Sequence, residues 1–240
     1  IYTILVLNVL FCTGCTDQLE ETIYGKFPEE EYWKTESELL TGLASAYGRL
    51  VIPWDAPFSL EVFKIEECAS DYAVGAGEWG DYTGWSSIFP GAINNVYDYL
   101  WSSISYCNKV IDKSEEGFQK TQAGEPGYSI SKEVKEQIIV ESRAVRVFCY
   151  FNLCTWFGGV PIVTSSTDHR PIIPKQTQDS VYRFMENELK EVIPFLPTKS
   201  ERMNMTKDYG RVTKGGAEAF LARIYLEQKK WQEGADLTTK

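Results

Sequence analysis

The chain has 240 residues, 43 % of them hydrophobic, and 34 acidic against 24 basic side chains give it a formal charge of −10. That length supports one large domain or two small ones with a core of their own, and the composition excludes a disordered, collagen-like or multi-span membrane chain. The charge lacks the basic footprint that nucleic acid requires, and a single histidine, His169, excludes a His-rich metal site.

Residues 1–11 are apolar except for Thr3 and Asn8. The run is too short to span a bilayer, which takes about 20 residues, and it fits the apolar core of a secretory signal. Cys12-Thr13-Gly14-Cys15 follows. Small residues before a cysteine at the end of such a run resemble a bacterial lipobox, with cleavage before Cys15 and lipid on its sulfur. Cys12 stands where Leu is usual. The alternative is a buried N-terminal segment with two chance cysteines. Asp17, Glu20 and Glu21 resemble a surface-export signal, and read equally as a solvated linker. The domain expectation is a signal remnant over 1–14, a lipidated linker over 15–34 and a helical domain over 35–240.

From there the chain reads as helices. Thr35-x-x-Glu38 is a capping box, and Leu39, Leu40, Leu43, Ala46, Tyr47 and Leu50 follow at helical spacing up to Pro53. A second helix carries Val96, Tyr99, Leu100, Ser103, Ile104, Cys107, Val110 and Ile111 on one stripe. The polar, Gly- and Pro-containing stretch 113–131 reads as a loop. A third helix runs from about Lys132 to Phe157, apolar over much of its girth and therefore central. Gly158 and Pro161 stop it, and Val160–Thr164 reads as a short extended piece before a Pro-rich loop over 165–176. A fourth helix holds Val181, Phe184, Met185, Leu189 and Val192. A fifth starts near Thr213, and Trp231 and Ala235 open a sixth. Turn, Trp and small residues at helical spacing are the grammar of tetratricopeptide-like hairpins. The expected fold is all-α, with irregular helical-hairpin repeats, long loop insertions and a truncated C-terminus.

The segment 72–95 stands apart. Trp79, Tyr82, Trp85 and Phe89 are spaced 3, 3 and 4 as on a helix, which reads as a core stripe. Yet Gly75, Gly77, Gly80 and Gly84 would each cost a helix about 1 kcal/mol relative to Ala. An irregular loop carrying flat rings is the preferred reading. Sugar rings pack on aromatic faces, and Asp81, Asn94 and Asn95 supply polar partners for hydroxyls. Trp101, Trp156 and Trp231 sit on helical stripes and read as core. With no C-x-x-C among them, the default for Cys68, Cys107, Cys149 and Cys154 is a buried free thiol.

The motifs together resemble the SusD/RagB family. They are Phe157-Gly158-Gly159-Val160-Pro161 after a helix with Glu141, Arg143, Ala144, Arg146 and Tyr150-Phe151; Tyr97 to Ile111 with Trp101, Ile104, Cys107 and Asn108; Val181-Tyr182-x-Phe184 to Leu196-Pro197; and Gly210-Arg211-Val212-Thr213-Lys214 with Ala217 to Leu226 and Trp231. The resemblance covers most of the chain from Cys15 onward. It implies a nutrient-binding lipoprotein anchored at the outer membrane and facing outward, a glycan or peptide-derived ligand, and a SusC-type TonB-dependent transporter as partner. It implies neither cofactor nor metal. In that family the stretch before the Tyr97–Trp101 helix often contributes to the ligand site.

Other signals are weaker. Gly75-x-Gly77-x-x-Gly80 lacks the strand-to-helix setting of a dinucleotide loop. The adjacent glutamates 29–31, 66–67 and 115–116 point apart and form no hydrolytic dyad by themselves. Three function classes remain: a non-catalytic glycan-binding lipoprotein, which the lack of a nucleophile or phosphate-loop motif favours; a glycoside hydrolase with distant carboxylates; and a helical scaffold that binds only protein.

Overall fold

The computed structural model describes residues 31–52, 56–68, 70–75, 90–204 and 210–239. The chain divides into a unit of residues 1–32 and a unit Trp33–Lys240, and nearly all described residues belong to the second.

Helix α1 (Glu36–Val51) starts where the sequence predicts. Thr35 Oγ1 accepts the Glu38 N–H, and the Glu38 carboxylate accepts the Thr35 N–H at 2.8 Å. The Ile52 N–H closes the helix on the Gly48 carbonyl. Next come a π-helical turn at Pro57–Glu61 and a short α2 (Val62–Glu67), neither anticipated from the sequence. The long α3 (Pro90–Gln122) and α4 (Lys132–Phe157) form an antiparallel hairpin. Helix α5 (Gln178–Val192) runs into a 3-10 turn at Ile193–Phe195. A short α6 (Lys199–Asn204), also unanticipated, precedes the hairpin of α7 (Lys214–Glu227) and α8 (Trp231–Thr238). The all-α expectation holds: among the described residues the only β feature is an isolated bridge between Thr35 and Ser129.

Helix α4 is central, as its girth of apolar residues predicts. It packs on α1, α3, α5 and α7. The main apolar core runs from Ala46 on α1 through Leu100, Ile104, Tyr150, Leu153 and Leu189 to Tyr225 on α7. Burying each such Leu or Ile contributes about 1.5–3 kcal/mol. Gly158 ends α4 at φ 72°, a left-handed conformation that suits glycine. Beside it, a Cβ on Gly159 would lie 2.0 Å from the Gln176 carbonyl oxygen, so this turn admits only glycine. The stretch after it is irregular, pinned by Tyr150, whose hydroxyl donates to the Val163 carbonyl at 3.0 Å and accepts the Val163 N–H at 2.7 Å.

Three expectations need correction. The loop placed at 113–131 is helix as far as Gln122. Its buried face uses small residues, with Ser114 bonded to the Val110 carbonyl and Gly117 against Ile130, while Glu116 bridges Lys113 and Lys120 outside. The irregular stretch placed at 72–95 gives way to helix at Pro90, so Asn94 and Asn95 are helical. Trp231 is 62 % exposed rather than core. It opens α8, which packs chiefly on α7 and so buries only one face.

Candidate functional site

Of the residues assigned to ligand from the sequence, Trp79, Asp81, Tyr82 and Trp85 lie outside the described residues, as does Cys15. Asn94 and Asn95 fall in the first turns of α3, Asn94 exposed and Asn95 half-buried. One turn further, an aromatic group lines the edge of the core. Tyr97 meets Trp101 edge-on at 6.0 Å and Phe157 at 5.1 Å. Trp101 in turn meets Tyr150 at 5.8 Å, and Tyr150 meets Phe184 at 5.3 Å. Trp101 and Trp156 are therefore half-buried at the core's edge rather than inside it. The indole N–H of Trp101 is buried and has no acceptor among the described residues, a defect that typically costs about 1–3 kcal/mol.

The charged residues of the sequence motifs form two internal networks. Glu141 is fully buried and receives Arg202, both Nε and Nη2 of Arg211, and the Tyr47 hydroxyl at 2.7 Å. Tyr47 also accepts the Val212 N–H at 3.0 Å. Burial and the Glu141 charge push the Tyr47 phenol up, keeping it a donor. The second network joins Arg143 and Arg146 of α4 to Glu188 of α5, and Arg146 continues to Asn108 of α3 and the Thr164 carbonyl. Burial raises Glu188, but the two guanidiniums outweigh it and hold its carboxyl below the usual range. Glu186 is likewise held down against burial by Lys190, Lys230 and Gln228. These carboxylates tie helices together as anions.

Among the described cysteines, Cys149 and Cys154 are poor nucleophiles. All four described cysteines are buried and free. Burial pushes the Cys149 thiol up to about 12 and the Cys154 thiol up to about 11, so neither forms the thiolate that nucleophilic chemistry requires. His169 lies exposed in its loop.

A groove of about 910 Å³ opens between α1, α4 and α7. Its walls are Leu40, Leu43, Val51, Phe58, Phe148 and Phe220, with Tyr47, Arg211 and Thr213 at the polar end. Local sequence patterning does not signal it, because its walls come from helices far apart in the chain. Tyr47 and Arg211 are already committed to Glu141. What remains is apolar and short of the hydroxyl partners that a sugar requires.

A family model described as SusD-like, starch-binding and associating with the outer membrane matches residues 59–226. A curated SusD-like protein of Bacteroides ovatus is 21 % identical, with 96 % of this chain and 40 % of that protein covered. SusD-like protein P25 of Formosa agariphila is 21 % identical, covering 95 % and 43 %. Among solved structures, a SusD-like carbohydrate-binding protein from Bacteroides fragilis has 23 % identity and a TM-score of 0.66, covering 85 % of this chain and 40 % of its own. A laminarin-binding SusD-like protein has 22 % and 0.65, covering 85 % and 42 %. Surface glycan-binding protein A of Bacteroides uniformis has 21 % and 0.69, covering 85 % and 45 %. At these identities the structural likeness is one of fold. The chain spans about two-fifths of the length of the curated relatives it matches.

Proposed function

This chain belongs to the SusD/RagB family of SusD-like proteins, and from that premise we propose that it is a non-catalytic glycan-binding lipoprotein of the cell surface, delivering its ligand to a SusC-type TonB-dependent transporter. The carrying observation is the family match over 59–226, a family described as starch-binding and outer-membrane-associating. The structural neighbours include a laminarin-binding SusD-like protein and a surface glycan-binding protein, which supports the same class. Two carboxylates, Glu186 and Glu188, are unsuited to the acid role that the glycoside hydrolase alternative requires. A hydrolytic acid needs a carboxyl raised toward neutrality, whereas Glu186 and Glu188 are held down by cations.

In this reading Trp79, Tyr82 and Trp85 offer stacking rings, and Asp81, Asn94 and Asn95 bond hydroxyls. Cys15 carries the lipid that holds the protein to the outer membrane. Two measurements test the reading. The full-length protein, incubated with starch- and laminarin-derived oligosaccharides, should bind sugar and return it intact. Reproducible hydrolysis abolished by one Asp or Glu substitution would move the protein to the hydrolases. For the anchor, palmitate labelling of the native precursor should disappear in Cys15→Ala, and equal labelling of both forms would refute lipidation there.

A further inference from the structure

We propose that the first two turns of α3 are themselves part of the sugar-binding surface, with Tyr97 as a stacking ring and Asp98 as a hydroxyl acceptor beside it. The inference rests on the glycan-binding reading and extends it to residues that the sequence alone did not single out.

Asn94, Tyr97, Asp98 and Trp101 stand at i, i+3, i+4 and i+7, which places them on one face of the helix. Asn94 and Asp98 are exposed, and Tyr97 exposes 36 % of its surface. Tyr97 is not a loose surface ring. Trp101 holds it from one side and Phe157 from another, at interplanar angles of 60° and 81°. Its rotamer freedom is already spent before any ligand arrives, so little is lost on binding. A preoriented aromatic face between an amide and a carboxylate suits a pyranose. The ring takes the CH face, and the amide and carboxylate take hydroxyls at its rim. The side chains of Asn94 and Asp98 are engaged in no hydrogen bond or ion pair among the described residues, so their polar atoms are available.

Trp101 adds a second, independent observation. Its ring supports Tyr97, but its indole N–H is left without an acceptor among the described residues. Phe or Leu would pack there without that defect. Tryptophan at this position instead gives Tyr97 a broad ring to rest on edge-to-face at 6.0 Å. The chemistry also argues for sugar over a protein partner. A protein-docking face carries contiguous apolar area at its centre, whereas here one ring is flanked by polar groups. In sequence, α3 follows directly after the segment with Trp79, Tyr82 and Trp85, so the same stretch of chain supplies both sets of residues.

The test begins with the full-length protein on a glycan array that includes maltoheptaose and laminarihexaose, followed by calorimetric titration of the tightest hit. Tyr97→Ala should weaken binding about tenfold, the scale of one aromatic contact, and Asp98→Ala should weaken it severalfold. Gln119→Ala, exposed near the far end of α3, should bind as wild type does. Asp98 is exposed and makes no packing contact that the fold needs, so its variant reports binding even where Tyr97→Ala lowers the melting temperature. Wild-type binding with both Tyr97→Ala and Asp98→Ala unchanged would overturn the proposal and leave the glycan-binding reading standing. No binding anywhere on the array would overturn that reading and the proposal with it.

Discussion

Glu188 shows how a single residue in this protein couples charge to stability. Its side chain is 13 % exposed and is shared by Arg143 and Arg146 of the neighbouring helix. Its folded pKa lies below the ordinary 4.5. A depressed carboxylate contributes stability that is complete above the unfolded value and is lost as pH falls through the folded one. The protein should therefore hold its urea midpoint from neutral pH down to about 5 and lose stability below about 4.5, where unfolded carboxylates begin to bind protons. Glu188→Gln should cost about 1–3 kcal/mol at pH 7, the scale of a charged hydrogen bond. It should also flatten the acid limb of the pH profile. Urea titrations of both forms between pH 3.5 and 7 check this, and equal acid limbs would mean that Glu188 is not a source of the dependence. The motif Glu141, Arg143 and Arg146 was legible as a motif, but its role was not. Its partners Glu188, Arg202 and Arg211 are 42 to 70 residues away along the chain, a separation that local patterning does not register.

Among the elements, most of the ends legible from the sequence were those written in cap chemistry, the start of α8 at Trp231 being read from its turn instead. Thr35, Ser131, Thr177 and Thr213 each cap a helix through the side-chain oxygen, and all four of those helices were found from sequence. The end of α3 was hidden, because its last turns pack through Ser114 and Gly117 instead of through large apolar residues. Small residues at close helix contacts look like loop residues to a hydropathy pattern. The same device operates at Gly42 on α1. A Cβ there would lie 2.4 Å from Cζ3 of Trp33 and 2.9 Å from Cγ2 of Val110. Ala improves helix propensity by about 1 kcal/mol, but here it must displace a rigid indole and a β-branched neighbour on α3. Overpacking costs typically about 1–3 kcal/mol. Gly42→Ala should therefore destabilise by about 1 kcal/mol net, against the propensity scale. Gly48→Ala on the same helix has open space around its Cβ and should stabilise by up to about 1 kcal/mol. Thermal melts of the two variants should move in opposite directions, and a stabilised Gly42→Ala would show that the Trp33 contact yields freely.

At the scale of the whole molecule, one core joins α1, α3, α4, α5 and α7, and a body built this way is stiff. If recognition groups lie outside that core, affinity can change without stability, and tryptophan positions make the two separable. Trp101 packs against the core through Tyr150. Trp79 and Trp85 lie in the glycine-rich stretch where sequence reasoning places ligand contacts. Trp101→Ala should lower stability by about 2–4 kcal/mol, less than for a fully enclosed ring, because the side chain is only half-buried. Trp79→Ala or Trp85→Ala should reduce sugar affinity by about 1–2 kcal/mol, the range of a central aromatic contact, with little change in melting. The measurement is thermal melting and sugar titration on the three single variants of the full-length protein. If Trp79→Ala and Trp85→Ala both melt as low as Trp101→Ala and bind sugar normally, those rings form a core stripe. The 3, 3 and 4 spacing would then be the signal that counts, and the glycines between the rings would be part of a packed helix.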